Sequence, residues 1–285
     1  MKFGIGTAQI KQKYGILKKK TNTKELKNVF KKIDKKIDLI DTAPSYGFAE
    51  KFLGKHCNKK YKIVTKLNKL NSKNINKIID EIQLSLELSL KNLKVKKIYC
   101  LMIHSEKDIK IFKYKKIKLF FESIKKKKII SKIGISIYDF SKMEKYLRIY
   151  NFDVIQIPLN IFSINDKLTK YLRKLKKIYK FELHVRSILF QGIILQESKM
   201  IPHKLSFIEK KINIINNISK IYNSSIYDVA ISSIENLKLA DYAIIGISNY
   251  EEYLRINKYK RINIKKNFTK KVLLTNSLTN LKKIK

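Results

Sequence analysis

Four polar residues between positions 41 and 104 carry side chains with complementary acid–base chemistry: Asp41, Tyr46, Lys66 and His104. Asp41, Lys66 and His104 each end a short apolar run of the kind that forms a buried strand, and Tyr46 lies in the turn after the first of these runs. Together they offer a carboxylate, a phenol, an ammonium and an imidazole. A phenol ordinarily ionises near pH ~10 and becomes a useful proton donor only where neighbours tune it, which an adjacent buried ammonium does by stabilising the phenolate. Taken singly, each residue has a structural role to fill instead. Asp41 can cap a helix, Tyr46 can pack within the turn Thr42-Ala-Pro-Ser-Tyr46-Gly47, Lys66 is one of 59 lysines, and His104 can be a hydrogen-bonded imidazole at a strand end. Chemistry therefore depends on whether the fold brings the four together.

The elements that must position them read as strands alternating with helices. Eight strand candidates are Phe3–Thr7, Ile37–Thr42, Lys62–Lys66, Ile98–His104, Lys132–Ile137, Val154–Pro158, Glu182–Ile188 and Tyr242–Ile247. Between them, Asn74–Leu93 repeats Ile75, Ile78, Ile79, Ile82, Leu86, Leu90 and Leu93 on one helical face, and Lys113–Ile129 does so with Tyr114, Ile117, Phe120, Phe121 and Ile124. Eight such units in 285 residues predict a single-domain α/β fold, the (β/α)8 TIM barrel. A doubly wound dinucleotide-binding sheet competes, but Gly4-Ile5-Gly6 is the only early glycine pair and Gln9 stands where the third fingerprint glycine belongs. In a barrel the catalytic groups sit at the C-terminal ends of strands, which is where all four residues fall.

Composition narrows the function classes. With 44% hydrophobic and 31% charged residues the chain can bury a large core. Its apolar runs are far shorter than the roughly 20 residues of a membrane helix, so no membrane insertion is expected. Glycines, Gln9 and Lys11 interrupt the first eleven residues where a leader would carry an apolar run, and the two cysteines, Cys57 and Cys100, form neither a disulfide framework nor a metal site. A cytoplasmic, metal-free protein is the expectation. The net charge is +41, which raises the question of a nucleic-acid partner. However, 59 of the 64 basic residues are lysines spread over nearly every helix, together with abundant Ile, Asn and Tyr, which is an AT-rich codon profile. No aromatics interleave with one basic strand face, so no nucleic-acid partner is expected. One exception is the basic C-terminal segment from about 258 to 285; from Tyr253 to Lys285 there are eleven basic residues and no acidic one.

The spacing of Asp41-Thr-Ala-Pro-Ser-Tyr46-Gly47, followed by Glu50, Leu53-Gly54, Val64-Thr65-Lys66 and Ile103-His104, resembles the aldo-keto reductases. The resemblance continues through Gly134-Ile-Ser136, Gln156-Ile-Pro, Val185-Arg-Ser187, Gln191-Gly192 and Ile245-Gly246-Ile-Ser248. Within that family, Gln156–Phe162 and His184–Gly192 are most similar to members found with bacterial surface-polysaccharide genes. The resemblance implies an enzyme with NADP(H) or NAD(H) across the barrel mouth, reducing a small-molecule carbonyl, sugar-derived carbonyls among them. It implies Tyr46 as proton donor, Lys66 held by Asp41 as stabiliser of the tyrosinate, and His104 as the group that orients the carbonyl. It assigns Thr7, Asp41, Ser136 and Gln156 to the nicotinamide end of the cofactor, Arg186, Ser187, Leu189 and Gly192 to the stretch from the ring to the pyrophosphate, and Gly246, Ser248 and Glu252 to the adenosine end.

Departures from the family pattern bear on the substrate. Ile137 replaces an Asn that usually helps to hold the carboxamide. Arg186 replaces an aromatic that stacks on the nicotinamide, and its planar guanidinium can also stack or pair with Glu182. The usual early hairpin is missing from the pattern, the loop after His104 reads as short, and the absence of Trp removes the usual apolar lid. A second reading, a non-catalytic cofactor-binding partner like the potassium-channel beta subunits that resemble this family, is disfavoured by the intact set of four.

Overall fold

The computed structural model describes residues 1–10, 21–57, 60–197 and 200–274. Eight parallel strands, β1 (Lys2–Gly6), β2 (Ile37–Asp41), β3 (Lys62–Lys66), β4 (Ile98–Ile103), β5 (Ile130–Ser136), β6 (Val154–Pro158), β7 (Glu182–Arg186) and β8 (Tyr242–Gly246), close into a barrel in sequence order. Around it lie α1 (Thr23–Lys31), α2 (Ala49–His56), α3 (Ile75–Leu93), α4 (Lys115–Lys126), α5 (Met143–Ile149), α6 (Asp166–Tyr179), α7 (Glu209–Ile221), α8 (Ile226–Glu235), α9 (Tyr250–Lys258) and α10 (Lys266–Lys271). All eight strands expected from the sequence form, and several end a residue or two early. Strand β5 instead begins two residues before its expected start.

The asparagines of this composition act as helix starts. Asn22, Asn74, Asn165 and Asn249 each accept a hydrogen bond from a first-turn backbone N–H, and Ser225 forms a capping box with Asp228. Expected faces of α3 and α4 are mostly buried, but Tyr114 is 46% exposed because it precedes the first turn of α4. The connection after His104 is not a bare short loop. Glu106–Lys113 forms a 3-10 segment, and Glu106 accepts the backbone N–H groups of Tyr138 and Asp139 at the neighbouring mouth loop.

Two residues of the early motif are structural. Glu50 is buried and accepts the Thr65 hydroxyl at 2.7 Å, which fastens α2 to β3. Gly54 lies so close to the end of α3 that an added Cβ would sit 2.0 Å from the Asn92 carbonyl oxygen. Inside the barrel Leu39, Val64, Cys100, Met102, Val154, Tyr242 and Ile244 pack together. Gly4 leaves the room they need, since a Cβ there would meet Ile244 and Leu39 at 2.8 Å.

The end of the barrel opposite the mouth is closed by polar groups at the strand starts. Lys62 donates to Tyr242 at 2.9 Å and to Asp38 at 3.1 Å. Glu182 is held by Lys132, by the Tyr99 hydroxyl 2.8 Å away, and by His184 at 3.4 Å. Partial burial pushes the Glu182 carboxyl up, yet the bonds from His184, Lys132 and Tyr99 hold it down at about 2. A carboxyl depressed below its unfolded value stabilises the fold above that unfolded value and loses the contribution as pH falls through the folded one. The melting temperature of the protein should therefore fall more steeply between pH ~4.5 and pH ~2 than that of Glu182→Gln, as followed by circular dichroism.

Candidate active site

Strand ends β2 and β3 place Asp41 and Lys66 side by side beneath the mouth. Lys66 is 1% exposed, and a buried ammonium requires a partner. It donates to Asp41 Oδ1 at 2.7 Å and to the Thr42 carbonyl oxygen at 2.9 Å. Asp41 Oδ2 accepts the Gln156 amide at 2.7 Å, and the Asp41 backbone oxygen accepts the Thr7 hydroxyl and N–H, both at 3.0 Å. The carboxylate is thus engaged from β3 and β6, and the Asp41 backbone from the end of β1.

Tyr46 enters from above. Pro44 starts a 3-10 turn over Pro44–Tyr46, and Gly47 ends it at φ 62°, a left-handed conformation suited to glycine. The turn sets the Tyr46 ring 5.0 Å from Lys66 Nζ and edge-on to His104, with ring centroids 5.9 Å apart. His104 Nδ1 lies 3.3 Å from the Ser45 hydroxyl, so the same turn also orients the imidazole. Burial pushes the Tyr46 phenol above its ordinary value; Lys66 pulls it down, Asp41 pushes it up and Arg186 pulls it down, and the net direction is upward. Burial opposes the charge on Lys66, but Asp41 and Tyr46 outweigh it and raise its pKa. The result is a protonated phenol against a permanent cation.

From this cluster a cleft extends along the mouth. Of the residues expected at a cofactor, Thr7, Asp41, Arg186, Ser187, Leu189, Gly192, Gly246, Ser248 and Glu252 line it, together with Tyr46. Ser136 and Gln156 stand behind that lining. Ser136 accepts from Arg186 at 3.4 Å, and Gln156 reaches Asp41. Lys66 and His104 meet the cleft through Tyr46 rather than as part of its wall.

Arg186 meets a neighbouring ring rather than the carboxylate at position 182. Its guanidinium stacks on the Tyr138 ring at 4.1 Å and does not pair with Glu182, which sits at the other end of β7. Beyond it, Ser187, Phe190 and Gln191 adopt φ of 59°, 50° and 56°, followed by Gly192 at 87°. Three non-glycine residues in the left-handed region within five positions are a local strain of the kind concentrated at binding sites. At the far end Glu252 accepts the Ser248 N–H at 2.7 Å.

Sequence reasoning missed Gln9, Gln191, Leu195 and Tyr227 as lining residues. Gln9 packs over Gly246, where an added Cβ would lie 2.5 Å from its amide, a contact no local pattern announces. Tyr227 is an apolar-face residue of α8 by spacing, and its buried hydroxyl has no hydrogen-bond partner among the described residues. No group of three or more His, Cys, Asp or Glu among the described residues could hold a metal ion, and no described helix is long and apolar enough to cross a membrane.

The sequence model of the aldo/keto reductase family matches residues 2–272. The chain belongs to that family. Solved aldo-keto reductases share the fold. A glycerol dehydrogenase from Gluconobacter oxydans superposes with a TM-score of 0.70 at 18% identity, over 95% of this chain and 89% of the other. The holo form of an aldo-keto reductase from Bacillus halodurans gives 0.71 at 15% identity, over 95% and 91%. The aldose reductase from Schistosoma japonicum gives 0.65 at 12%, over 95% and 86%. No curated protein matches the sequence closely enough to count as a relative. Identities this low show the fold alone.

The buried ion pair makes a quantitative prediction. Removing one partner, by Lys66→Met or Asp41→Leu, should destabilise this reductase by about 3–5 kcal/mol because the other charge is left buried. The double variant should lose less than the sum of the two, and urea unfolding of the four proteins measures the coupling.

Proposed function

We propose that the chain is an NAD(P)-dependent carbonyl reductase with Tyr46 as proton donor. The observation that carries this reading is the convergence of Tyr46, Lys66, Asp41 and His104 at one end of a long cleft. A nicotinamide cofactor fits the residues present. Gln156 Oε1 is buried without a hydrogen-bond partner, as suits an acceptor for a carboxamide N–H beside Ser136, while Ile137, buried, offers no replacement for the missing Asn. Thr7 and Arg186 would hold the ring end, Ser187, Leu189 and Gly192 the pyrophosphate, and Gly246, Ser248 and Glu252 the adenosine. When bound, that cofactor supplies the hydride for the carbonyl carbon.

The chain's own groups manage the charge that then develops on oxygen. Tyr46 donates its phenolic proton to the carbonyl oxygen, and the raised pKa keeps that proton in place at neutral pH. Lys66 stabilises the tyrosinate left behind, and Asp41 prevents the ammonium from swinging away. His104, oriented through Ser45, hydrogen-bonds the carbonyl oxygen and fixes its direction. Arg186, stacked on Tyr138 at the mouth, favours polar or anionic substrates such as sugar-derived carbonyls.

Tyr46→Phe should bind cofactor as tightly as the parent while turnover on aldehydes falls by roughly 10² or more. Retention of more than about half the activity removes Tyr46 from this role.

The adenosine end favours acceptance of NAD. Glu252 lines it, and Arg255, which also lines it, is neutralised by Glu251 at 2.7 Å. Like charge disfavours a 2′-phosphate there. Competitive titration should show NAD bound within about a hundredfold of NADP, and a wider gap contradicts the reading.

A further inference from the structure

The barrel end remote from the mouth carries a second concavity. The loops entering β3, β4 and β5 enclose a cleft of about 840 Å³ whose wall includes Lys60, Lys62, Lys94, Lys96, Lys97 and Lys128 and, among the described residues, no carboxylate. Lys62 is committed to Asp38 and Tyr242. The ammonium groups of the other five, all exposed, make no ion pair or hydrogen bond with a described residue. Few exposed lysines of other elements pair with a described acidic residue, as Lys142 does with Asp139 and Lys270 with Asp166, so what sets these five apart is their gathering around one concavity.

Two of the five have a local reason. Lys94 is the C-cap of α3 and Lys128 lies two residues beyond the end of α4, where a cation complements the helix dipole. Lys60, Lys96 and Lys97 lie on the connections into β3 and β4, beyond the last turns of α2 and α3, and face the same space. Five like charges around one concavity repel each other, and a multivalent anion turns that repulsion into attraction.

We propose that this cleft binds a compact multivalent oxyanion, a chain of consecutive phosphates. Its concavity suits a short flexible chain rather than a flat membrane or a convex duplex. Lysines, as rotatable point charges without the bidentate fork of arginine, read charge density more than shape. The aromatic rings of the wall offer no platform for a base. Lys62 and Lys132 stand over the Tyr99 ring at 5.2 and 5.0 Å, and the Tyr61 hydroxyl donates to the Ile33 carbonyl oxygen. The phosphates themselves are therefore the recognised group, either as a free chain or as the triphosphate tail of a nucleotide. The site is independent of the chemistry at the mouth.

Isothermal titration of the full chain with sodium tripolyphosphate, orthophosphate and ATP, at about 0.15 M salt, tests the proposal. Tripolyphosphate should bind saturably at one site and at least about tenfold tighter than orthophosphate. The triple variant Lys60→Ser, Lys96→Ser, Lys97→Ser should weaken it about tenfold or more, while Lys167→Ser, Lys170→Ser, Lys174→Ser on α6, which removes the same charge elsewhere, should change it less than about twofold. ATP should match tripolyphosphate in affinity and lose the same factor in the cleft variant if its tail is the occupant, and tripolyphosphate binding alone assigns the site to the free chain. Equal losses in the two triple variants, several sites per chain, or no saturable binding would show only a diffuse field and overturn the site. Carbonyl reduction should be unchanged in the cleft variant, since none of its three residues touches the mouth.

Discussion

A lysine with almost no access to water governs the mouth of this barrel. An isolated ammonium in such a place would lose its proton or unfold its surroundings, so Lys66 is tolerated only because Asp41 and the Thr42 carbonyl oxygen meet it. Asp41 in turn gathers Gln156 from β6 and Thr7 from the end of β1. The charge pair therefore ties the ends of β2, β3 and β6 together, and the Asp41 backbone adds the end of β1. The Pro44–Tyr46 turn then needs only to lay a phenol over that pair, and Ser45 brings the imidazole with it.

The two ends of the barrel use charged residues differently. At the mouth the polar groups converge on a cleft, with one cation neutralised and one phenol kept protonated. At the opposite end Asp38, Lys62, Tyr99, Lys132, Glu182, His184 and Tyr242 bind mainly each other and plug the interior. The same residue types give a site at the mouth and a seal at the strand starts, because the strand-start groups bond each other across the interior while the mouth groups converge on open space.

Much of this was legible in the sequence because it is local. Short apolar runs marked every strand, and several of them end on polar residues, Asp41, Lys66 and Ser136, that are buried at the mouth with polar partners. Tyr46 was readable from its turn, where Pro44 and Gly47 restrict the backbone. What stayed hidden depends on contacts between distant segments. Glu50 and Gly54 belong to the motif yet serve the packing of α2 against β3 and α3, which spacing cannot separate from chemistry. Gln9 and Tyr227 reach the cleft across a glycine and from a helix face, respectively. The pairing of Arg186 with Tyr138 rather than Glu182 was settled by the direction of β7, which puts positions 182 and 186 at opposite ends of the barrel.

The central claim is that Lys66 tunes the Tyr46 phenol. Protein labelled with 13C at the tyrosine ζ carbon, with the Tyr46 resonance identified by its loss in Tyr46→Phe, allows that phenol to be titrated directly among the sixteen tyrosines. The account predicts that Tyr46 ionises at a clearly higher pH in folded Lys66→Met than in the parent, because the largest influence lowering its pKa has been removed. Coincident titrations in the two proteins would contradict it.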